Sequence, residues 1–456
     1  MDALSLLVLL LLDPVRYRLD YPEPNGKIRV TIRAPQDSAG PRTLVMPRAI
    51  PMGYGEQHYD RFVGRVTTGS DVTREEGPRW RLGPAPTVSY EVDIGAMEQK
   101  ILEASDTSKA RPGYLGLLGY SVFGYLEGLE DRIVDLEVAG PKGWPVFLTL
   151  APGGAAGGTA VDFYGLADSQ IILGPRARFS RVNAKAPFHL AVYDEGASDD
   201  TIMGRTAAEA LDLLIDYFGS TPFRHYTAHL ELLKPVSPMH SYGFSMEHLD
   251  STTIFLLEHD GLNSNSTPDA IARFRFNLAH HIAHAWIPKR CYGEGYFPFQ
   301  WELAPLMDTI WFAEGFGQYA AMAALAAGLK EPEASRYLDG MIDRRFRSRL
   351  GSSPPFLRRM ALAELSRVAS TRYAQDFRTG QAVFARGGMM AAEMDARIRE
   401  RTGGRMRLRE ALRHLVAWSA RNRRAFRMDE LPRLLSEATG VNVRDILEKW
   451  SAPQVD

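Results

Sequence analysis

Short runs of alternating apolar and polar residues dominate the first third of the chain. Residues 15–19 (Val-Arg-Tyr-Arg-Leu) and 28–32 (Ile-Arg-Val-Thr-Ile) put every second side chain on one face, as half-buried strands do, with Pro22 to Gly26 as the turn between them. The same pattern predicts strands at 87–92, 121–125, 133–138 and 145–150. The stretch 152–158 holds four glycines and a proline but no large side chain, so it reads as a flexible join. The expected division is an N-terminal all-β domain over 1–152 and a second domain over 159–456. In the second domain, strands are expected at 171–173, 188–192, 226–232 and 253–257, with an amphipathic helix at 206–218; this β part spans 159–260. From 265 to 456 the period is almost wholly helical. Strands first and helices after make the second domain α+β, and the chain multi-domain.

Composition changes little in this picture. The chain has 456 residues, room for two to three domains, and is 45% hydrophobic and 24% charged, as ordinary globular proteins are. A net charge of -1 gives no global sign of a nucleic-acid partner. Arginine is dense from 344 to 433, but interleaved acids make those stretches read as solvated helix faces. The single cysteine, Cys291, excludes an intrachain disulfide, and its loop-like setting favours a structural role over a nucleophilic one. Residues 3–12 form an apolar run with neither a basic flank nor a small-residue cleavage site. It reads either as a degenerate export signal, which would place the protein outside the cytoplasm or in a periplasm, or as a buried first strand of a cytoplasmic protein. It is too short to span a bilayer, and no integral membrane segment is expected.

Chemistry concentrates in one helical stretch, 268–286, where Ile271, Phe274, Leu278, Ile282 and Ala285 recur at helical spacing. Inside it stands His280-His281-Ile282-Ala283-His284. Residues four apart share a helix face, so His280 and His284 can present two imidazoles to one metal ion. The zinc-hydrolase motif of this spacing is H-E-x-x-H, whose Glu is the general base; here that position is His281.

Taken with Lys289-Arg290 downstream, this stretch resembles the active-site helix of the glycyl-aminopeptidase-like metallopeptidases. Trp311-Phe312-Ala313-Glu314-Gly315-Phe316 is similar to that family's second helix, and twenty-nine residues separate His284 from Glu314. Further similar stretches are Ile50-Pro51-Met52-Gly53-Tyr54, Gly140-Pro141-Lys142-Gly143-Trp144, Tyr164-Gly165-Leu166-Ala167-Asp168-Ser169, Met246-Glu247-His248 and Asp395-Ala396-Arg397-Ile398-Arg399, so the resemblance covers essentially the whole chain. It implies a thermolysin-like (gluzincin) second domain and one zinc ion held by His280, His284 and Glu314. It also implies a peptide or amine-bearing small-molecule ligand whose amine meets Glu247. The family often adds a C-terminal PDZ domain, for which the chain stops too early. Asp308 is a candidate partner for a metal-bound histidine, and Gly403-Gly404 reads as a helix C-cap.

Three departures bear on activity. His281 replaces the general base. Phe384 stands where the family has a tyrosine that donates to the oxyanion, with Arg386 at the position of a following lysine and a conceivable substitute donor to substrate. Phe244-Ser245 replaces the glycines that usually precede Glu247. A positioned base contributes about 10²–10⁴-fold and one oxyanion donor about 10²–10³-fold. The expectation is a zinc-binding, metallopeptidase-like protein with weak or lost peptidase activity. Two alternatives stay open: an active aminopeptidase using His281 as base, and a repurposed zinc enzyme acting on a non-peptide small molecule.

Overall fold

The computed structural model describes residues 13–36, 42–51, 53–373 and 375–454. The apolar run 3–12, read above as a signal or a first strand, lies outside them. The predicted strands at 15–19 and 28–32 are Val15–Asp20 and Lys27–Arg33, paired antiparallel with Leu19 opposite Val30. They lie at the centre of a six-stranded sheet. Its order is Gly157–Ala160, Val134–Ala139, Val15–Asp20, Lys27–Arg33, Thr87–Asp93, Val63–Thr68. The glycine-rich stretch therefore leads into a strand of this sheet, antiparallel to Val134–Ala139.

Two four-stranded sheets complete the N-terminal part. One contains Arg42–Val45 and Arg79–Leu82; the other runs Val146–Leu148, Gln170–Leu173, Tyr114–Leu118, Lys109–Arg111. The strand expected at 121–125 is not there. Gly119–Val122 is instead a helical turn in which the Ser121 hydroxyl donates to the Leu118 carbonyl, and only Tyr125–Leu126 is extended. Every residue of that run is buried, so burial leaves no alternation from which helix and strand could be told apart.

A five-stranded sheet comes next, ordered Ala177–Val182, Phe188–Asp194, Tyr226–Leu233, Ser251–Leu257, Phe244–Glu247. Its three central strands are parallel, and Phe244–Glu247 is the antiparallel edge. The predicted helix at 206–218 begins earlier, as Asp200–Phe218. Its N-cap Asp199 accepts from the backbone N–H groups of Thr201 and Ile202. Helices then dominate to the end of the described residues. The N-terminal part has its own apolar core, into which the second part inserts Met246, Phe255 and Trp301. No helix among the described residues is long and apolar enough to cross a membrane.

Candidate metal centre and cleft

The histidine helix is Pro268–Ala283, started by Thr267, whose hydroxyl accepts from the Ala270 N–H, with Pro268 and Asp269 in the first turn. Phe274, Leu278 and Ile282 are buried, as the spacing predicts. The helix stops three residues short of the expected 286, but His284 keeps helical backbone angles as its C-cap. His280 and His284 consequently face the same way, and their Nε2 atoms are 2.9 Å apart. The Nδ1–H of His284 donates to the Ile287 carbonyl at 2.8 Å, which leaves its Nε2 lone pair free.

Glu314 comes from one turn of π-helix, Trp311–Phe316, fully buried ahead of the helix Gly317–Ala327. Its Oε2 is 3.2 Å from His280 Nε2 and 3.8 Å from His284 Nε2. Its other oxygen accepts from the Tyr54 hydroxyl at 2.8 Å. The π-turn is pressed against the long helix Phe377–Arg401 at Gly315 and Gly387. A Cβ at Gly387 would collide with the Trp311 carbonyl, and one at Gly315 with the Gly387 backbone. Three donor atoms separated by 2.9, 3.2 and 3.8 Å suit one tetrahedral ion. Bonds of about 2.0–2.1 Å put tetrahedral ligands about 3.3 Å apart. The donor chemistry also fits. Burial holds His280 well below the usual histidine range, in its neutral ligating form; burial, with Glu247 adding to the effect, raises the Glu314 carboxyl, a direction that a bound cation would reverse.

His281 reaches from the same cluster toward Glu247. Its Nδ1 lies 3.4 Å from Glu247 Oε2, at the end of the edge strand. Burial alone would raise the Glu247 carboxyl. His284, the hydrogen bond from His281 and Lys289 outweigh it and hold Glu247 below the usual carboxylate range. The donor atoms of His280, His281 and His284 all fall within 4.8 Å of one another, as do those of Glu247, His284 and Glu314.

His280, His281, Glu247 and Glu314 line a cleft of about 420 Å³ shared by both parts of the chain, with His284 fully buried behind them. Phe384 is on its wall, 6.3 Å from the Tyr54 ring and 5.7 Å from the Tyr373 ring. Phe244 packs edge-on against Phe377, and the Asn277 amide donates to the Ser245 hydroxyl at 3.2 Å.

Arg386 is not brought to the cleft. Fully buried, it donates to the carbonyls of Met360, Trp450 and Ala452, pinning the C-terminal helix Arg444–Ser451 to the long helix. Its geometry corrects the expectation that Arg386 meets substrate. Asp308 likewise pairs with Arg367 at the surface, at 2.5 and 2.8 Å, and with no histidine among the described residues. Cys291 is buried and burial pushes its thiol up to about 12, which suits the structural reading. Gly403 and Gly404 have positive φ just past the long helix, as a C-cap requires.

The motif stretches explain one another through a buried knot. Lys289 Nζ donates to Asp168 Oδ1 at 2.9 Å and to the Pro51 carbonyl at 3.1 Å. Asp168 also accepts from Leu249 N and contacts His248. Arg290 ties the Ala285 and Leu249 carbonyls to Asp250. The Lys-Arg pair thus fixes the histidine helix to the edge strand and to the loop that carries Tyr54. Sequence reasoning assigned no role to Tyr54, Asp106, Gln318, Arg345, Arg349 or Tyr373, which also line the cleft. For Tyr54, its place in a motif resembling the family was the available signal. For the arginines it was their four-residue spacing.

A β-rich N-terminal part joined to a helix-rich body, with a His/His/Glu cluster in the shared cleft, defines a metallopeptidase-like scaffold. Family models match twice: the Peptidase M61 N-terminal domain over residues 16–175 and the M61 glycyl aminopeptidase over residues 273–381. The chain belongs to the M61 glycyl aminopeptidase family. No curated protein matches it significantly in sequence. Among solved structures it is similar to an aminopeptidase N family protein from Idiomarina loihiensis, with a TM-score of 0.82, 18% identity and coverage of 97% of this chain and 76% of that one. It is also similar to an M1 zinc metallopeptidase from Deinococcus radiodurans, with a TM-score of 0.55, 15% identity and coverage of 98% and 94%. A mutant of that protein bound to a Tyr-Ser-Ala substrate matches at a TM-score of 0.55 and 14% identity, covering 98% and 95%. At these identities the structures attest the fold.

Proposed function

We propose that the protein binds one zinc ion through His280, His284 and Glu314, in a thermolysin-like catalytic unit whose peptidase activity is weak or lost. The observation that carries this reading is the convergence of the three donor atoms at 2.9, 3.2 and 3.8 Å in the cleft. Zinc in such a site supplies Lewis acidity toward a water or carbonyl oxygen. Around it this chain offers an imidazole, His281, where the family has a carboxylate, and a phenyl ring, Phe384, where it has a donor. The ligand is a peptide or an amine-bearing small molecule, because the edge strand Phe244–Glu247 flanks the cleft and a neighbour of this fold is described with a bound peptide. We also place the start of the catalytic unit near residue 175, since Gly157–Ala160 and Gln170–Leu173 pair with strands of the N-terminal part.

The test is metal content and turnover together. The purified protein is expected to hold zinc stoichiometrically, to lose it in Glu314→Gln, and to cleave aminoacyl and peptide substrates slowly or not at all. Failure to bind any divalent metal would remove the metal centre from this reading. Tyr54→Phe strips the hydroxyl that fixes the Glu314 carboxylate and is expected to weaken zinc binding about 10–100-fold in chelator competition. Undiminished affinity would show that Tyr54 does not orient the ligand.

One contact favours a second reading. With Glu247 accepting from His281 Nδ1, the other ring nitrogen is left as a proton acceptor, an arrangement in which imidazole serves as a general base. This reading predicts metal-dependent turnover abolished by His281→Ala.

A further inference from the structure

We infer that Arg345 and Arg349 form a carboxylate-binding wall of the cleft, so that the ligand carries a carboxylate as well as its amine; this rests on the metallopeptidase-like reading of the same cleft. The two arginines come after the helix Glu333–Ile342, Arg345 in the π-turn Asp343–Arg347 and Arg349 in the helix Ser348–Ser352. Both line the cleft with His280 and Glu314. Their four-residue spacing puts two like charges side by side, which destabilises a helix unless an anion lies between them.

No carboxylate answers them. Among the described residues neither guanidinium has a hydrogen-bond or ion-pair partner. Arg347 in the same turn is bound to Asp343, and Arg344 to the Met341 sulfur. Other arginines taken from water are matched: Arg48 by Asp60, Arg111 by Glu98 and Glu195, and the fully buried Arg386 by three carbonyls. Arg345 has only an aromatic face, its guanidinium lying 4.5 Å from the centre of the Phe276 ring, which in turn lies near-parallel to His280. Burial lowers Arg345 to about 10, and no acid offsets this. A desolvated charge is costly until it is paired, and the guanidinium fork matches a carboxylate in two hydrogen bonds. Glu103, Asp106, Glu247 and Glu314 share the cleft, so a zwitterion suits it better than a phosphate dianion. The carboxylate comes either from the C-terminus of a short peptide or from an acidic side chain.

Calorimetry on the zinc-loaded full chain separates the sources, using Ala-Ala, Ala-Ala-amide and Glu-Ala-amide. A charged hydrogen-bond pair is worth about 10–100-fold in affinity. Ala-Ala is expected to bind at least about tenfold tighter than its amide if the terminus is read, and Glu-Ala-amide to do so if the side chain is read. Arg345→Gln/Arg349→Gln should erase the difference. Equal affinities in the wild type, or a difference that survives the double substitution, would overturn the inference. If no peptide binds, the peptide-cleft reading fails, and succinate decides the wall separately: binding lost in the double variant supports it, and no binding to the wild type overturns it.

Discussion

His281→Glu combined with Phe384→Tyr is expected to raise aminopeptidase turnover by about 10⁴-fold or more over the wild-type protein. The two positions act on different parts of the reaction: a base takes a proton from water, and a phenol donates to the oxygen that gains charge. Their contributions, about 10²–10⁴ and 10²–10³, multiply only if they act independently, so the lower end is the safer expectation. The scaffold is in place to receive both groups. The His281 donor atom lies within 4.8 Å of those of His280 and His284, so a carboxylate at this position stands beside the histidine pair. Phe384 already lines the cleft beside the Tyr54 ring, so the change adds one hydroxyl to an existing ring. Tyr373 complicates the single substitution. Its ring packs against Phe384 and rests over Gly380, bringing a second phenol to the same cleft. If Tyr373 already donates to the oxyanion, Phe384→Tyr alone gains little, and His281→Glu alone accounts for the rise. A wild type that turns over rapidly, with no gain in the double variant, would instead make His281 the working base.

Much of this site could be read in the chain because its logic is local. The cap Thr267-Pro268-Asp269, the apolar repeat after it and the four-residue histidine spacing all come from one helix period. Glu314 could be found only by the aromatic residues around it, since it sits on a π-turn that helical periodicity does not predict. The same limit hid Arg345 and Arg349. A π insertion rotates the residues downstream of it, so an arginine-dense stretch read as solvated turned one pair of its charges into the cleft. Arg386 defied its pattern for the opposite reason. The resemblance put Arg386 where it could donate to substrate, but the long helix is buried around it, and its guanidinium answers carbonyl groups at a helix end 64 and 66 residues away. The strand order that builds the N-terminal sheets was not legible either, because pairing partners lie far apart and alternation fixes a face without naming a neighbour.

One buried ion pair that joins the two parts of the chain is a product of that unreadable pairing, and it carries the largest expected effect on stability. Lys109, on the edge of an N-terminal sheet, meets Glu231 from the centre of the five-stranded sheet at 2.9 Å, with both side chains at most 2% exposed. Lys109 also donates to the carbonyls of Ala104 and Thr107, while Glu231 accepts from the Tyr114 hydroxyl at 2.6 Å. Tyr114 in turn contacts His229, which burial pushes down to about 4 and so keeps neutral. Burial alone would raise Glu231, but the charge of Lys109 holds it below the usual carboxylate range. Lys109→Met is therefore expected to cost about 3–5 kcal/mol, because it strands a charge that water cannot reach. Removing both charges, as in Lys109→Met/Glu231→Leu, should recover much of the loss, since apolar replacement of a whole buried pair is often near neutral. Denaturant midpoints of the two variants test this, and a single substitution no worse than the double would show that the charges are not coupled. The cleft draws its walls from both sides of this junction, Tyr54 and Asp106 from one and the histidine helix from the other. Lys109→Met is thus also expected to weaken zinc binding at the proposed site, with none of its proposed ligands altered.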